Sequence, residues 1–154
     1  MGDRFAELCR ELIESPLVVV DVGAAGVFRD LPRLAPLCVL HTFEPRPAVT
    51  QPSLSFREIH RHDCALASSA GERTLFVTAT PKASSLLLPN TELARRWGQE
   101  KVFKVVDRIR VPCAALDDLN IGTVDYLKLD TQGSEFEVLR GATTTLASTL
   151  VIRA

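Results

Sequence analysis

Three acids in this chain each end an apolar, strand-like run. Asp21 lies in Val18-Val19-Val20-Asp21-Val22, Glu44 follows Cys38-Val-Leu-His-Thr-Phe43, and Asp130 follows Val124-Asp-Tyr-Leu-Lys-Leu129. Packing alone does not explain a carboxylate in a run this apolar, because a buried charge needs partners. Gly23, Ala24 and Gly26 follow the first acid, and Gly133 follows the third. Glycines directly after a buried strand let the backbone turn tightly and approach a ligand where a side chain would collide. Glu44 lies 18 residues beyond Gly26, where an acid ending the second strand accepts hydrogen bonds from a ribose diol lying on the glycine loop. The chemistry this spacing suggests is the binding of a nucleotide-type cofactor.

Other chemistry-bearing residues are less specific. Asp63 and Cys64 follow a third strand-like run and could meet an adenine amino group and ring, although Asp63 reads equally well as a solvated turn acid. His60 and His62 alternate beside Asp63, a pattern that can suggest a metal; with His41 the one further histidine, partly exposed strand histidines are the preferred reading. Ser84 and Ser85 lie in a loop beside Leu86-Leu87-Leu88. Asp117 and Asp118 read as caps rather than a metal pair.

Alternating elements must position these groups. A helix over 3–14 carries Phe5, Leu8, Cys9, Leu12 and Ile13 on one face and ends at Pro16. Strands are predicted over 17–22, 38–43, 56–62 and 124–130, each reading as buried in a parallel sheet. The two prolines in 27–37 make any crossover helix there short or broken. Residues 73–80 and 102–111 read as an antiparallel pair, with a short helix capped by Asn90 between them. Ser134-Glu-Phe-Glu137 reads as a capping box opening a helix that runs past Ala142 to Leu146, and Leu150-Val-Ile152 begins a last strand. In such a sheet, ligands bind at the carboxyl ends of the strands, where the three acids gather.

The totals narrow the class. A chain of 154 residues, 46% hydrophobic and 24% charged, suits one folded domain. Its net charge of −1 asks for neither nucleic acid nor an anionic membrane surface. No apolar run approaches the roughly 20 residues that span a bilayer. The four cysteines form no CxxC pair, so structural zinc and a redox dithiol are not expected. Reduced thiols and no signal peptide point to the cytoplasm.

Five blocks taken together resemble the FkbM family of S-adenosylmethionine-dependent methyltransferases. They are Val19-Val20-Asp21-Val22-Gly23-Ala24, Phe43-Glu44-Pro45, Ala83-Ser84-Ser85-Leu86-Leu87, Leu116-Asp117-Asp118-Leu119 and Val124 through Glu135 with its continuation Val138-Leu139-Arg140-Gly141-Ala142. The resemblance implies a class I methyltransferase fold: an α/β, Rossmann-like, doubly wound sheet with an inserted β-hairpin. With the N-terminal helix taking up 1–16, the resemblance implies a methyltransferase domain over 17–154, S-adenosylmethionine as cofactor, and O-methylation of a small-molecule hydroxyl on a sugar or polyketide-type metabolite. By motif matching, Asp21, Gly23, Ala24 and Gly26 line the methionine part, Glu44 holds the ribose, and Asp63 and Cys64 lie near adenine. Ser84, Ser85 and Gln132 are the candidate acceptor-binding residues. Asp130 faces the methionine amine or the reacting centre; Asp130 and Glu135 are the candidate bases, with His62 a weaker one, and the preferred role of Glu135 is support of a helix N-terminus.

The sequence departs from the family pattern twice. The glycine loop Gly23-Ala-Ala-Gly26 is one residue shorter than the commoner form. The last strand is barely begun, so the domain is expected to be truncated before a C-terminal hairpin, with its apolar edge open or covered by a second copy. An NAD-linked dehydrogenase shares the strand–glycine–acid logic but lacks G-x-G-x-x-G here, and a non-catalytic fragment binding cofactor or a partner chain is the third reading.

Overall fold

A computed structural model describes Cys9, Glu11 and residues 13–25, 28–46 and 54–154. Most of the helix expected over 3–14, and Gly26 of the glycine loop, lie outside the described residues; Cys9 and Glu11 are helical, and the Ile13 amide donates to the Cys9 carbonyl at 3.0 Å.

The β-branched run becomes β1 (Leu17–Val22), the middle of a five-stranded parallel sheet. Its neighbours are β2 (Cys38–Phe43) and β7 (Tyr126–Leu129), with β3 (Glu58–His62) outside β2 and β8 (Val151–Arg153) outside β7. The order β3-β2-β1-β7-β8 makes the chain wind outward in both directions from β1. The crossover between β1 and β2 holds Pro32 and Pro36, and its described residues contain only a 3₁₀ turn at Ala35–Leu37, in keeping with two prolines.

Alternation decides which face each side chain takes. Val20, Val22, Phe43, Leu127 and Leu129 pack on one side against Leu66, Leu116, Val124, Val138 and Ala142. Val19, Cys38 and Leu40 pack on the other side with Phe28, joined by Tyr126 and Phe56. Burial on both faces explains why β1 reads as an unbroken apolar run.

Between β3 and β7 the chain builds a second sheet from β4 (Ala65–Leu66), β5 (Gly71–Thr78) and β6 (Val105–Ala114), in the order β4-β6-β5. β5 runs antiparallel to β6, with Leu75 opposite Ile109, and β4 runs parallel to β6. Residues 79–104 join the antiparallel strands and contain α1 (Thr91–Arg96), whose first turn is capped by Asn90 Oδ1 accepting from the Leu93 amide at 2.9 Å.

The segment after β7 is two short helices, α2 (Glu135–Arg140) and α3 (Thr143–Leu146), where one was expected. They part at Gly141, where a Cβ would stand 2.2 Å from the Ala67 carbonyl oxygen of the second sheet. The expected capping box is absent. Ser134 makes no cap hydrogen bond, and the Glu137 carboxylate instead accepts from Ser68 Oγ at 2.7 Å. Asp117 does act as a cap, but for α3: its carboxylate accepts the amides of Thr144 and Thr145, each at 2.9 Å. Burial raises its pKa, but these amides and the Thr143 and Thr145 hydroxyls together outweigh that and hold its carboxyl down at about 2.

Candidate functional site

Each of the three central strands is followed by a residue that continues the ladder by one bond. The Gly23 amide donates to the Phe43 carbonyl at 3.0 Å, the Glu44 amide to the His62 carbonyl at 3.2 Å, and the Asp130 amide to the Val22 carbonyl at 3.0 Å. Gly23, Glu44 and Asp130 are thus held in one row along the carboxyl edge, beside the point where the chain reverses its winding. Gly23 has φ +79°, and a Cβ there would lie 2.1 Å from the Asp130 carbonyl oxygen. Only glycine permits this approach of the β1 and β7 loops.

The row forms one side of an open cleft. Val22, Phe43, Leu66 and Leu75 give it an apolar floor, Glu44 and Asp130 contribute carboxylates, and Ser84 and Ser85 line the opposite wall. That wall is built by local pairing. Ser85 forms an antiparallel bridge with Phe76 of β5, and Ser84 Oγ accepts the Thr78 amide at 3.2 Å. Arg46 ties the two walls together: its Nη2 donates to the Pro81 carbonyl at 3.0 Å, while its backbone amide and Nε donate to Glu44 Oε1 at 3.2 and 3.4 Å.

The cleft therefore brings together Gly23, Glu44, Ser84, Ser85 and Asp130 of the residues singled out in the sequence. The other described candidates sit elsewhere, and Gly26 lies outside the described residues. Asp21 is 1% exposed and lies on the opposite face of β1 from Val20 and Val22, its carboxylate accepting from Lys128 Nζ at 2.7 Å. Burial raises its pKa above the ordinary value, against the lowering effect of the Lys128 ammonium. Ala24 is buried, with its amide on the same Phe43 carbonyl as that of Gly23. Asp63 is exposed at the end of β3, and Cys64 packs against the core, where burial pushes its thiol up.

Gln132 and Glu135 shape the loop that carries Asp130. Gln132, exposed and at φ 58°, donates from Nε2 to Asp130 Oδ1 at 2.7 Å. Glu135 accepts the Thr131 amide on one carboxylate oxygen (2.9 Å) and the Gly133 amide on the other (2.8 Å). Partial burial would raise its pKa, but these loop amides outweigh that and hold it below the usual 4.5. It folds the loop back on the start of α2.

The structure also adds residues that the sequence reading passed over. Lys128 is the partner that a buried Asp21 requires, and β1–β7 register places it directly opposite. Tyr126, two residues earlier on the same face, donates to Asp30 at 2.8 Å, and Arg153 of β8 also donates to Asp30, at 2.6 Å. Period-two alternation along Tyr126-Leu127-Lys128 was the available signal. Away from the cleft, His41, His60 and His62 form a stacked cluster, with His41 Nδ1 3.1 Å from His62 Nε2. Among the described residues, no helix is long and apolar enough to cross a membrane.

Residues 21–153 match the family model of the FkbM methyltransferase domain. Searches of curated proteins and of solved structures each returned no match. The matched span takes in the carboxyl end of β1, the other four strands of the parallel sheet, the second sheet and every residue of the cleft, so the chain belongs to the FkbM methyltransferase family.

Proposed function

We infer that the chain transfers a methyl group from S-adenosylmethionine to a hydroxyl oxygen. The observation that carries this reading is the backbone contact at Gly23, which joins the glycine loop to the Asp130 loop in the same cleft that holds Glu44. A carboxylate at each end of an apolar floor suits a donor whose ribose diol meets Glu44 and an acceptor whose hydroxyl meets Asp130. When bound, that donor supplies an electrophilic methyl carbon on sulfur, and no covalent protein intermediate is needed.

The residues then divide the work. Glu44 Oε1 is occupied by Arg46, and the carboxylate accepts ribose hydroxyls through its remaining acceptor positions. The backbone at Gly23 and Ala25 holds the methionine part, and Ala65 and Leu66 border the adenine end. Gln132 fixes Asp130 Oδ1, which turns Oδ2 toward the acceptor. The acceptor oxygen forms its bond to the methyl carbon as the carbon–sulfur bond breaks, and the hydroxyl proton passes to Asp130. Positioning supplies most of the acceleration and the base the remainder. Glu135 is a positioning residue, because both of its oxygens are taken by loop amides.

Calorimetric titration with S-adenosylmethionine and S-adenosylhomocysteine, with NADH as control, tests the reading. Binding of the sulfur compounds and not of NADH is expected, weakened roughly tenfold or more in Glu44→Ala. Asp130→Asn should keep S-adenosylhomocysteine affinity and slow methyl transfer by roughly 10²–10⁴. Folded protein that binds NADH alone would remove the proposal.

A further inference from the structure

A second depression opens beside the cleft, a groove of about 640 Å³ between residues 83–90, α1 and the Gln132-Gly133 turn. Its walls are Leu87, Leu88, Leu93, Trp97 and Phe103. Four of these face water to an unusual degree for large apolar side chains: Trp97 is 75% exposed, Leu88 60%, Leu93 50% and Leu87 49%. Contiguous exposed apolar surface of this kind marks a place built to be covered.

The groove is continuous with the cleft. Ser85 lines both. Gln132, at the groove's inner end, donates to Asp130, and a Cβ on Gly133 would lie 3.4 Å from Leu87 Cδ1. The polar groups are not spread evenly. Ser85 and Gln132 stand at the end that meets Asp130; of the other two polar lining residues, Asn90 has its Oδ1 engaged by the Leu93 amide, and Gln99 adds one further side-chain amide. No charged side chain among the described residues lines the groove.

We propose that this groove holds the body of the methyl acceptor, and that the body is an apolar ring system carrying its hydroxyl at one end. The proposal rests on the methyl-transfer reading above. A molecule lying along Leu88, Leu93 and Trp97 places its inner end beside Asp130, where the proton must leave. A sugar in the same place would set most of its hydroxyls against leucines, with only a few side-chain partners for them, which is costly, whereas a fused or aromatic ring finds the Trp97 face and aliphatic walls.

The chain has a single tryptophan, so Trp97 emission reports the groove directly. The full chain is titrated with decahydro-2-naphthol, which is transparent where indole is excited, and with methyl α-glucoside at the same concentrations. A saturable blue shift with decahydro-2-naphthol and none with the glucoside is expected. Leu88→Asp and Leu93→Asp, both at exposed positions, should each weaken the response at least tenfold while leaving S-adenosylhomocysteine binding unchanged. The proposal falls if the glucoside alone shifts the emission, or if neither probe does. It also falls if Trp97 is already blue-shifted because sedimentation shows a second copy covering it. Those results leave S-adenosylhomocysteine binding intact; loss of that binding in folded protein would instead overturn the methyl-transfer reading, and the acceptor assignment with it.

Discussion

Asp21 and Lys128 face each other across β1 and β7, with side chains only 2% and 16% exposed. Removing one partner of such a pair leaves an uncompensated charge in the sheet, which costs more than the pair itself contributes. Lys128→Met should therefore destabilise the fold by about 3 kcal/mol at pH 7, read by urea unfolding. Because the folded-state pKa of Asp21 is already raised, the native carboxyl takes up a proton before the unfolded one does. The variant's deficit should accordingly shrink as pH falls toward that pKa and grow as pH rises through it. At this scale the sequence was partly legible. The acid stood out because an apolar run cannot explain it; the lysine was hidden because it lies more than a hundred residues away. Glu135 shows a different limit. Its carboxylate could be placed at a helix start, but the two loop amides it accepts depend on a turn with Gln132 at φ 58°, which no spacing rule announces.

Among the elements, the β2–β3 pair carries a titratable stack. Register sets His41 beside His60 and Phe43 beside His62, and the His62 ring lies 4.3 Å from Phe43. Burial first, then the neighbouring His60 and His62, lowers the His41 pKa from 6.5 to about 4, against a raising effect from Glu58, and His62 is lowered as well. A base with a depressed native pKa stays neutral in the fold while the unfolded chain takes up a proton. Stability should thus hold above pH 6.5 and decline as pH falls toward 4; melting curves across that window test it, and His41→Leu should flatten the decline. The strands themselves were readable, since β-branched runs and period-two alternation follow directly from burial on one or both faces. The helices after β7 were less so. The apolar spacing of Phe136, Leu139 and Ala142 suggests one helix, yet Gly141 breaks it because the Ala67 carbonyl occupies the space a side chain would need. That contact joins residues more than seventy positions apart, beyond the reach of any local pattern.

At the scale of the whole molecule, two backbone contacts join the layers. Gly141→Ala should cost at least about 3 kcal/mol in denaturant unfolding, because the clash is with backbone that cannot swing aside. Gly98→Ala has open space around it and should cost only about 1 kcal/mol, from its φ of +67°. The second contact, at Gly23, has a consequence for traffic rather than for stability. It pins the β1 and β7 loops to one another, so the sheet side of the cleft cannot open without breaking ladder bonds. The facing wall, by contrast, is fastened to the sheet edge by the Arg46 guanidinium on the Pro81 carbonyl. Loosening that clasp should hasten the arrival and departure of an occupant. Arg46→Ala should shorten the residence time of S-adenosylhomocysteine roughly tenfold in stopped-flow displacement. The molecule is in effect a jaw hinged on one side only, and the lifetime of what it grips is set by the moving half.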